Sequence, residues 1–206
     1  MYRDSRINQI VEGTTEILSL FIAREALDRH LKIAGDLINP RTNFVQKLVC
    51  LVRAGCFYAL WYPRQWMSLA IWPSCKAYGS NGKHLRYISR TSKRLARTLF
   101  HMMVRYGPKL EKRQMQLIRL VEIATDLFAM ATSVGRAHRI SQEPNAENGD
   151  AQEVAHVFCL EAKNRIETNF KELWKNASPL TPEDSQKVDL ANKIFQKKFT
   201  WMEDPA

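Results

Sequence analysis

Four consecutive residues, Glu12, Gly13, Thr14 and Thr15, combine the side-chain types of an acid–base site and an anion site. Glu12 stands among apolar residues just before a predicted helix. Such surroundings raise the pKa of a carboxyl group, which suits a general base near neutral pH. Gly13 lets a ligand approach the backbone closely, and Thr14 and Thr15 place hydroxyl and amide groups at a positive helix end that favours phosphate or another anion. In a plainer interpretation Thr14 only caps the helix and Glu12 is an ordinary residue at its start.

The surrounding sequence carries a longer pattern with fixed spacing. Residues 3–17 read RDSRINQIVEGTTEI, which resembles the R-D-x-R-I-x-x-I-x-E-G-T-x-x-I pattern of acyl-CoA dehydrogenases, and the likeness continues through residues 21–25. Residues 98–140 and 157–166 resemble the helical extension that the very-long-chain enzymes carry after the shared core. The chain therefore resembles the C-terminal portion of an acyl-CoA dehydrogenase of the very-long-chain type.

This resemblance implies a reaction and a site. Long-chain acyl-CoA would be oxidised to trans-2-enoyl-CoA in fatty-acid β-oxidation, with FAD as cofactor and electron-transfer flavoprotein as electron acceptor. Glu12 would remove the α-proton while a hydride leaves the β-carbon for the flavin. Gly13 and Arg24 would contact the substrate, although very-long-chain enzymes often lack this arginine. The residues expected to line FAD are Thr14, Thr15 and Glu16.

The same resemblance places most of the flavin site in domains that would precede Met1. We therefore expect the isolated chain not to be catalytically competent alone. A homodimer is expected, in the cytoplasm or the mitochondrial matrix, with membrane association as a further expectation.

Two segments indicate an anionic partner. Residues 83–119 hold eleven Lys or Arg and one acid, Glu111, which equals the whole net charge of +10. Residues 61–78 interleave basic residues with Trp61, Tyr62, Trp66, Trp72 and Tyr78, a composition suited to a membrane interface. The alternatives are a solvated helix face for the charges and a core or dimer interface for the aromatic residues. The rival function is a non-catalytic basic helical module that binds membrane or nucleic acid. Nucleic acid is the less favoured partner because no recognition motif accompanies the charge.

The element pattern predicts an all-α fold, an antiparallel bundle of about six helices. The helices are expected at about 14–38, 44–61, 83–106, 109–140, from about 150 to 174, and from about 182 to 199. The division expected is 1–40 with the Glu12 motif, 41–82 as a connecting helix and aromatic-basic loop that could face a membrane, and 83–206 as the extension.

Spacing of apolar residues predicts which side of each helix faces inward. In the first helix the stripe includes Ile17, Leu20, Phe21, Ala23, Leu27, Leu31, Ala34 and Ile38. In the second it comprises Leu48, Leu51, Val52, Cys56, Ala59 and Leu60. In the third it comprises Leu85, Ile88, Leu95, Leu99, Met102 and Tyr106. In the fourth it comprises Leu117, Leu120, Val121, Ala124, Leu127, Phe128, Ala131 and Val134. In the fifth it comprises Val154, Val157, Phe158, Ala162, Ile166 and Phe170.

The remaining composition argues against several kinds of site. Four cysteines form no CxxC pair, and five scattered histidines lack metal-ligand spacing, so we expect no metal site and no disulfide framework. No apolar run is judged long enough to span a bilayer.

Overall fold

The computed structural model describes residues 14–38, 42–67, 75–142, 148–175 and 182–196, and all regular structure among them is helical. Two short 3₁₀ helices, Cys75–Asn81 and Gly107–Lys112, lie before and after the third α-helix. The six α-helices are α1 (Thr15–Ile38), α2 (Phe44–Arg64), α3 (Gly82–Tyr106), α4 (Gln114–Ile140), α5 (Asn148–Lys175) and α6 (Pro182–Phe195). The predicted all-α fold is confirmed.

The chain divides into two compact units, Met1–Asn169 and Phe170–Ala206. The first unit contains α1 to α4 and most of α5. The second contains the end of α5 and the whole of α6. The predicted division at residues 40 and 82 stays a prediction.

In the first unit, α4 is the central helix and packs against both α1 and α3. Its apolar residues repeat at three- and four-residue steps, so one stripe of the helix is buried. The side chains of Ile123 and Met130 are fully enclosed. Helix α1 packs on α2 in the opposite direction, since the Cys50 thiol donates to the Ile33 carbonyl oxygen at 3.2 Å while His30 meets Tyr58 nearer the end of α2.

Two glycines fix the ends of α3. Gly82 begins the helix at a point where a Cβ would stand 2.4 Å from the Cys75 carbonyl oxygen, so a larger residue would force the backbones apart. Gly107 ends it with φ of 49°, in the left-handed region that glycine adopts without a steric penalty. The 3₁₀ helix that follows occupies the segment predicted as the start of the fourth helix, so α4 begins at Gln114.

The predicted inward side of α2 is wrong. Its six residues Leu48, Leu51, Val52, Cys56, Ala59 and Leu60 are exposed, and the buried residues of the helix are Cys50 and Ala54. The apolar side of α2 therefore faces outward. The ring contacts that Tyr58 and Trp61 make with α1 and α3 set the orientation instead.

The predicted sides of α1, α4 and α5 are right in part. In the α1 stripe, Ala23 is buried, but Ile17, Phe21 and Leu31 are exposed. The side chain of Ile38 is not among the described ones. In α4 only Phe128 is misplaced, at 71% exposure. In α5, Ala162, Ile166 and Phe170 are buried as expected, whereas Val154 and Val157 are exposed. Small residues, Ala155 and Cys159, take the inward positions of α5, and a volume-limited interior admits them more readily than valine.

The predicted side of α3 is closer to the structure. Met102 is buried, and Leu85, Ile88, Leu95, Leu99 and Tyr106 are half-buried. Polar side chains seven residues apart, His84, Thr91 and Thr98, are as enclosed as Met102.

Candidate functional site

The predicted site is divided by the edge of the described residues. Glu12 and Gly13 lie outside them, so their roles stay predictions. Thr14, Thr15 and Glu16 lie within them and are exposed at the start of α1. The residues expected to contact FAD are therefore accessible to a ligand.

The start of α1 has the donor set of a polar binding site. The Thr14 carbonyl oxygen accepts the first helical hydrogen bond, from the Leu18 N–H at 3.0 Å, so Thr14 is the cap residue. The N–H groups of a first helical turn have no acceptor within the helix, and the helix dipole favours negative charge there. Glu16 complements the same dipole from the first turn. Capping and cofactor contact are therefore compatible uses of this helix start.

A mostly apolar groove of about 810 Å³ begins one residue beyond Glu16. One wall is α1, and the other is formed by the end of α3, the second 3₁₀ helix and the start of α4. Polar character comes from Arg24, Glu111 and Gln114. The α1 residues are Ile17, Leu20, Phe21, Arg24, Leu27, Leu31 and Gly35. The predicted substrate-side residue Arg24 thus lies two turns along the helix from the predicted cofactor contacts, beside an apolar surface.

The aromatic residues at the end of α2 mostly pack within the chain. The Tyr58 hydroxyl and His30 Nδ1 are 3.0 Å apart, and the Tyr62 hydroxyl and His101 Nε2 are also 3.0 Å apart. Burial, followed by the charge of Arg29, lowers the pKa of His30. Trp61 contacts the same cluster, so Trp61 and Tyr62 pack within the chain. Trp66 is exposed, and Trp72 lies outside the described residues.

Two cations of the basic segment bind the end of α2. Lys93 Nζ donates to the Met67 carbonyl oxygen at 2.6 Å. Arg97 donates to the Gln65 carbonyl oxygen and stacks on Trp66, with its guanidinium carbon 4.1 Å from the ring centre. Positive charge at a helix C-terminus is stabilised by the helix dipole. Lys93 and Arg97 therefore connect α3 to the end of α2.

A third cation of the segment is held by α5. Arg94 Nη1 donates to Glu167 Oε2 at 2.8 Å, and the Tyr87 hydroxyl donates to Glu167 Oε1 at 2.9 Å. Burial would raise the pKa of Glu167, but the two hydrogen bonds and the charges of Arg94 and Lys163 together outweigh burial, and the pKa is lowered. Arg86 and Arg90 on the same helix are exposed. The predicted basic face is thus smaller than the residue count suggests.

Helix α2 itself corrects the expectation about membrane-spanning length. Among the described residues, Phe44–Arg64 is one helix long and apolar enough to cross a bilayer, and little of it is buried. The interruptions by Lys47 and Arg53 hid this length in the sequence. Length and composition alone are weak evidence, because a core helix can meet the same criterion.

Sequence reasoning missed a polar contact surface between α3 and α5. Asn81 Nδ2 donates to Gln152 Oε1 at 2.7 Å, and His84 Nε2 lies 2.7 Å from His156 Nδ1. The seven-residue spacing of His84, Thr91 and Thr98 marks a polar stripe on one side of α3 and could have revealed it.

Comparisons with known proteins place this arrangement in a family. Residues 83–200 match the family model described as ACAD9/ACADV, C-terminal domain. The chain is 40% identical over 204 residues to the probable acyl-CoA dehydrogenase FadE10 of Mycobacterium tuberculosis (strain H37Rv), covering 98% of this chain and 30% of that protein. It is 28% identical over 174 residues to a probable acyl-CoA dehydrogenase of Bacillus subtilis (strain 168), covering 83% of this chain and 26% of that protein.

A solved structure agrees. The acyl-CoA dehydrogenase complexed with FAD from Bacillus anthracis matches 92% of this chain and 28% of its own, with a TM-score of 0.53 and 27% identity. The chain belongs to the ACAD9/ACADV C-terminal domain family and corresponds to the C-terminal portion of an acyl-CoA dehydrogenase. It spans about 30% of the length of the FadE10 relative.

Proposed function

We propose that this chain supplies the catalytic base, and part of the substrate and flavin contacts, of an FAD-dependent acyl-CoA dehydrogenase that oxidises long-chain acyl-CoA in fatty-acid β-oxidation. The observation that carries the proposal is the RDSRINQIVEGTTEI motif, which ends in the first turn of α1. The 40% identity to FadE10 over 98% of this chain supports it.

Glu12 is the base that removes the α-proton of the acyl-CoA thioester. Its backbone N–H donates to the thioester carbonyl oxygen and stabilises the negative charge that develops there. Gly13 keeps the adjacent backbone free of a side chain, so the thioester can approach. When bound, FAD accepts the hydride from the β-carbon.

The described residues fit both ligands chemically. Exposed hydroxyls of Thr14 and Thr15 and the amides of the first turn of α1 suit the polar atoms of FAD, and Glu16 adjoins them. Arg24, beside the apolar groove, suits an amphiphile that carries negative charge. The family resemblance implies that electron-transfer flavoprotein is the electron acceptor and that the assembly is a homodimer.

A chimera tests the base. The aligned C-terminal region of FadE10 is replaced by this chain, and anaerobic bleaching of the flavin by a long-chain acyl-CoA is followed at its visible absorbance band. We expect Glu12→Gln to abolish bleaching while FAD content stays unchanged. Glu25→Gln, at an exposed glutamate on α1, is the control. Bleaching at an undiminished rate in Glu12→Gln would refute the assignment.

Flavin content of the 206-residue chain alone tests how much of the cofactor site it carries. We expect little or no FAD to be released on denaturation of a well-folded helical protein. Stoichiometric FAD would show that these residues hold the cofactor without the preceding domains.

A second proposal concerns membrane contact. The outward side of α2 exposes Phe44, Val45, Leu48, Val49 and Val52, and basic residues of the same helix could meet anionic headgroups. We therefore propose that the membrane contact lies on α2 and not on the aromatic residues of 61–78. A membrane partner also suits these residues better than nucleic acid, since apolar side chains gain nothing from a phosphate backbone.

Flotation with vesicles of phosphatidylcholine and phosphatidylglycerol tests this contact. We expect Val49→Asp to reduce binding at least several-fold, because a carboxylate opposes insertion into a negatively charged interface. Val104→Asp is the matched control, since Val49 is 64% and Val104 67% exposed. Loss only on replacing Trp66 and Trp72 by Ala would return the contact to residues 61–78. Equal binding by all variants would reject membrane contact at both places.

A further inference from the structure

The contact between His84 on α3 and His156 on α5 has features of a pH-responsive element. The two rings approach with His84 Nε2 and His156 Nδ1 2.7 Å apart and ring centres 4.9 Å apart. His84 is almost entirely buried, with 4% of its surface exposed, and His156 is half-buried. A hydrogen bond at this distance needs a proton on one facing nitrogen and a lone pair on the other.

Protonation affects this hydrogen bond in two stages. A first proton can occupy a ring nitrogen that faces away, so the hydrogen bond survives but a positive charge is buried. A second proton leaves N–H groups on both facing nitrogens, because an imidazolium ion has two donors and no acceptor. The contact then has no acceptor, and two positive rings face each other.

The surrounding charges oppose protonation. Burial lowers the pKa of His84 first, and the positive groups His156, Lys83 and Lys163 lower it further. These come from both helices that the ring adjoins, Lys83 from α3 and Lys163 from α5. Glu153, one turn before His156, is exposed.

Neighbouring contacts between α3 and α5 are also polar. Toward the start of α3, Asn81 Nδ2 donates to the Gln152 side chain and main chain. Further along, Tyr87 donates to Glu167. Side-chain hydrogen bonds therefore hold α5 on α3 and on the 3₁₀ helix before it, and His84 with His156 forms the contact between those of Asn81 and Tyr87.

We propose that the His84–His156 contact makes the association of α5 with α3 pH-dependent, holding the helices together when the rings are neutral and releasing the first half of α5 when both are protonated. The sign follows from burial. Where α5 is released, His84 has its ordinary pKa of about 6.5, so released states take up a proton and become more favoured as pH falls through that value. The effect levels off once the pH falls below the lower pKa that His84 has in the closed state.

Hydrogen exchange of the 206-residue chain tests the proposal. Protection of α5 amides near residues 155–162 is measured at about pH 7 and pH 5.5 and corrected for intrinsic exchange rates. At pH 5.5 a released His84 of pKa 6.5 is protonated about ten to one, so we expect the opening constant to rise by up to roughly tenfold. In His84→Gln this rise should disappear. His101→Gln, on the same helix but bonded to Tyr62, should keep it.

An unchanged opening constant in the wild-type chain, or an equal rise in His84→Gln, would overturn the proposal. Because His84→Gln could fail to fold, the histidine ring signals of the wild-type chain are also titrated by NMR. The proposal requires His84 to titrate clearly below the ordinary histidine value of 6.5. Titration of His84 at or above that value would also overturn it.

Discussion

Helices α2 and α4 are both rich in apolar residues but have opposite surroundings. Among the described residues of α2, only Cys50 and Ala54 are buried, whereas α4 buries a full stripe from Gln116 to Ala137. In α4 the apolar pattern and the burial agree, so the chain itself supplies its partners. In α2 the apolar surface exceeds what the described part of the chain covers.

This difference in burial between α2 and α4 indicates different roles for the regions that contain them. An exposed apolar helix side is unfavourable in water unless something covers it, and contiguous exposed apolar patches mark contact surfaces. The α3 to α5 region can be understood from its own packing. The α1 and α2 region, which also carries the groove and the start of the predicted site, is better understood as a surface that meets a ligand, membrane or further protein.

The largest test of this contrast is a pair of identical substitutions. Ile123 in α4 is 0% exposed and Ile22 in α1 is 50% exposed. Truncating a buried isoleucine removes transfer free energy and leaves a cavity, so Ile123→Ala should lower the free energy of unfolding by about 2–5 kcal/mol. Ile22→Ala should lower it by about 1 kcal/mol or less. Urea titration measures both, and equal losses would show that α1 is covered by the chain after all.

The same contrast explains how far sequence reasoning reached. The helices and the stripe of α4 followed from periodicity, because Leu117, Leu120, Leu127 and Val134 repeat where a one-sided core requires them. The side of α2 did not follow, because its apolar stripe is exposed and does not pack against the described part of the chain. Its orientation depends on ring contacts such as Trp61 with Phe100, between residues 39 positions apart along the chain.

The candidate site was predictable in identity more than in arrangement. A fixed motif places Thr14, Thr15 and Glu16 at the start of a helix, and the structure finds them exposed there. The groove beside Arg24 was not predictable, because its second wall comes from residues 103–117. The hydrogen bonds from Lys93 and Arg97 to carbonyl oxygens near the end of α2 were not predictable either, because their partners are distant along the chain. A charge count does not show which cations meet a carbonyl oxygen.

The reactivities of two cysteine thiols, one on α2 and one on α5, test the contrast between these regions. Cys56 on α2 is exposed, while Cys159 on α5 is fully enclosed and burial raises its pKa to about 11. At about pH 8 only roughly 0.1% of a thiol with that pKa is thiolate, the reactive form. We expect iodoacetamide to label Cys56 at least about 100-fold faster, as measured by peptide mass mapping. Removing the fold with urea should abolish the difference; comparable native rates would mean that α5 opens readily.

The smallest expected effect is a loss of folding stability at alkaline pH, caused by Tyr87 at the contact between α3 and α5. Burial and the hydrogen bond to Glu167 raise the pKa of Tyr87 to about 12. The unfolded chain loses this proton near pH 10, so stability falls as pH rises above 10 and the fall ends near 12. Because Tyr87 is half-buried, solvent screening reduces the effect to on the order of 1 kcal/mol.

Tyr87→Phe should remove this part of the alkaline loss, seen as a shallower fall of the urea midpoint between pH 10 and pH 11.5. It should also lower stability at neutral pH, because Glu167 loses a donor. Tyr106→Phe, a half-buried tyrosine at the end of α3, is the matched control and should keep the wild-type slope. An unaltered slope in Tyr87→Phe would mean that the tyrosine ionises as freely in the fold as in water. The α3 to α5 contact would then be as open to solvent as the outward side of α2, and the contrast between the two regions would fail at this point.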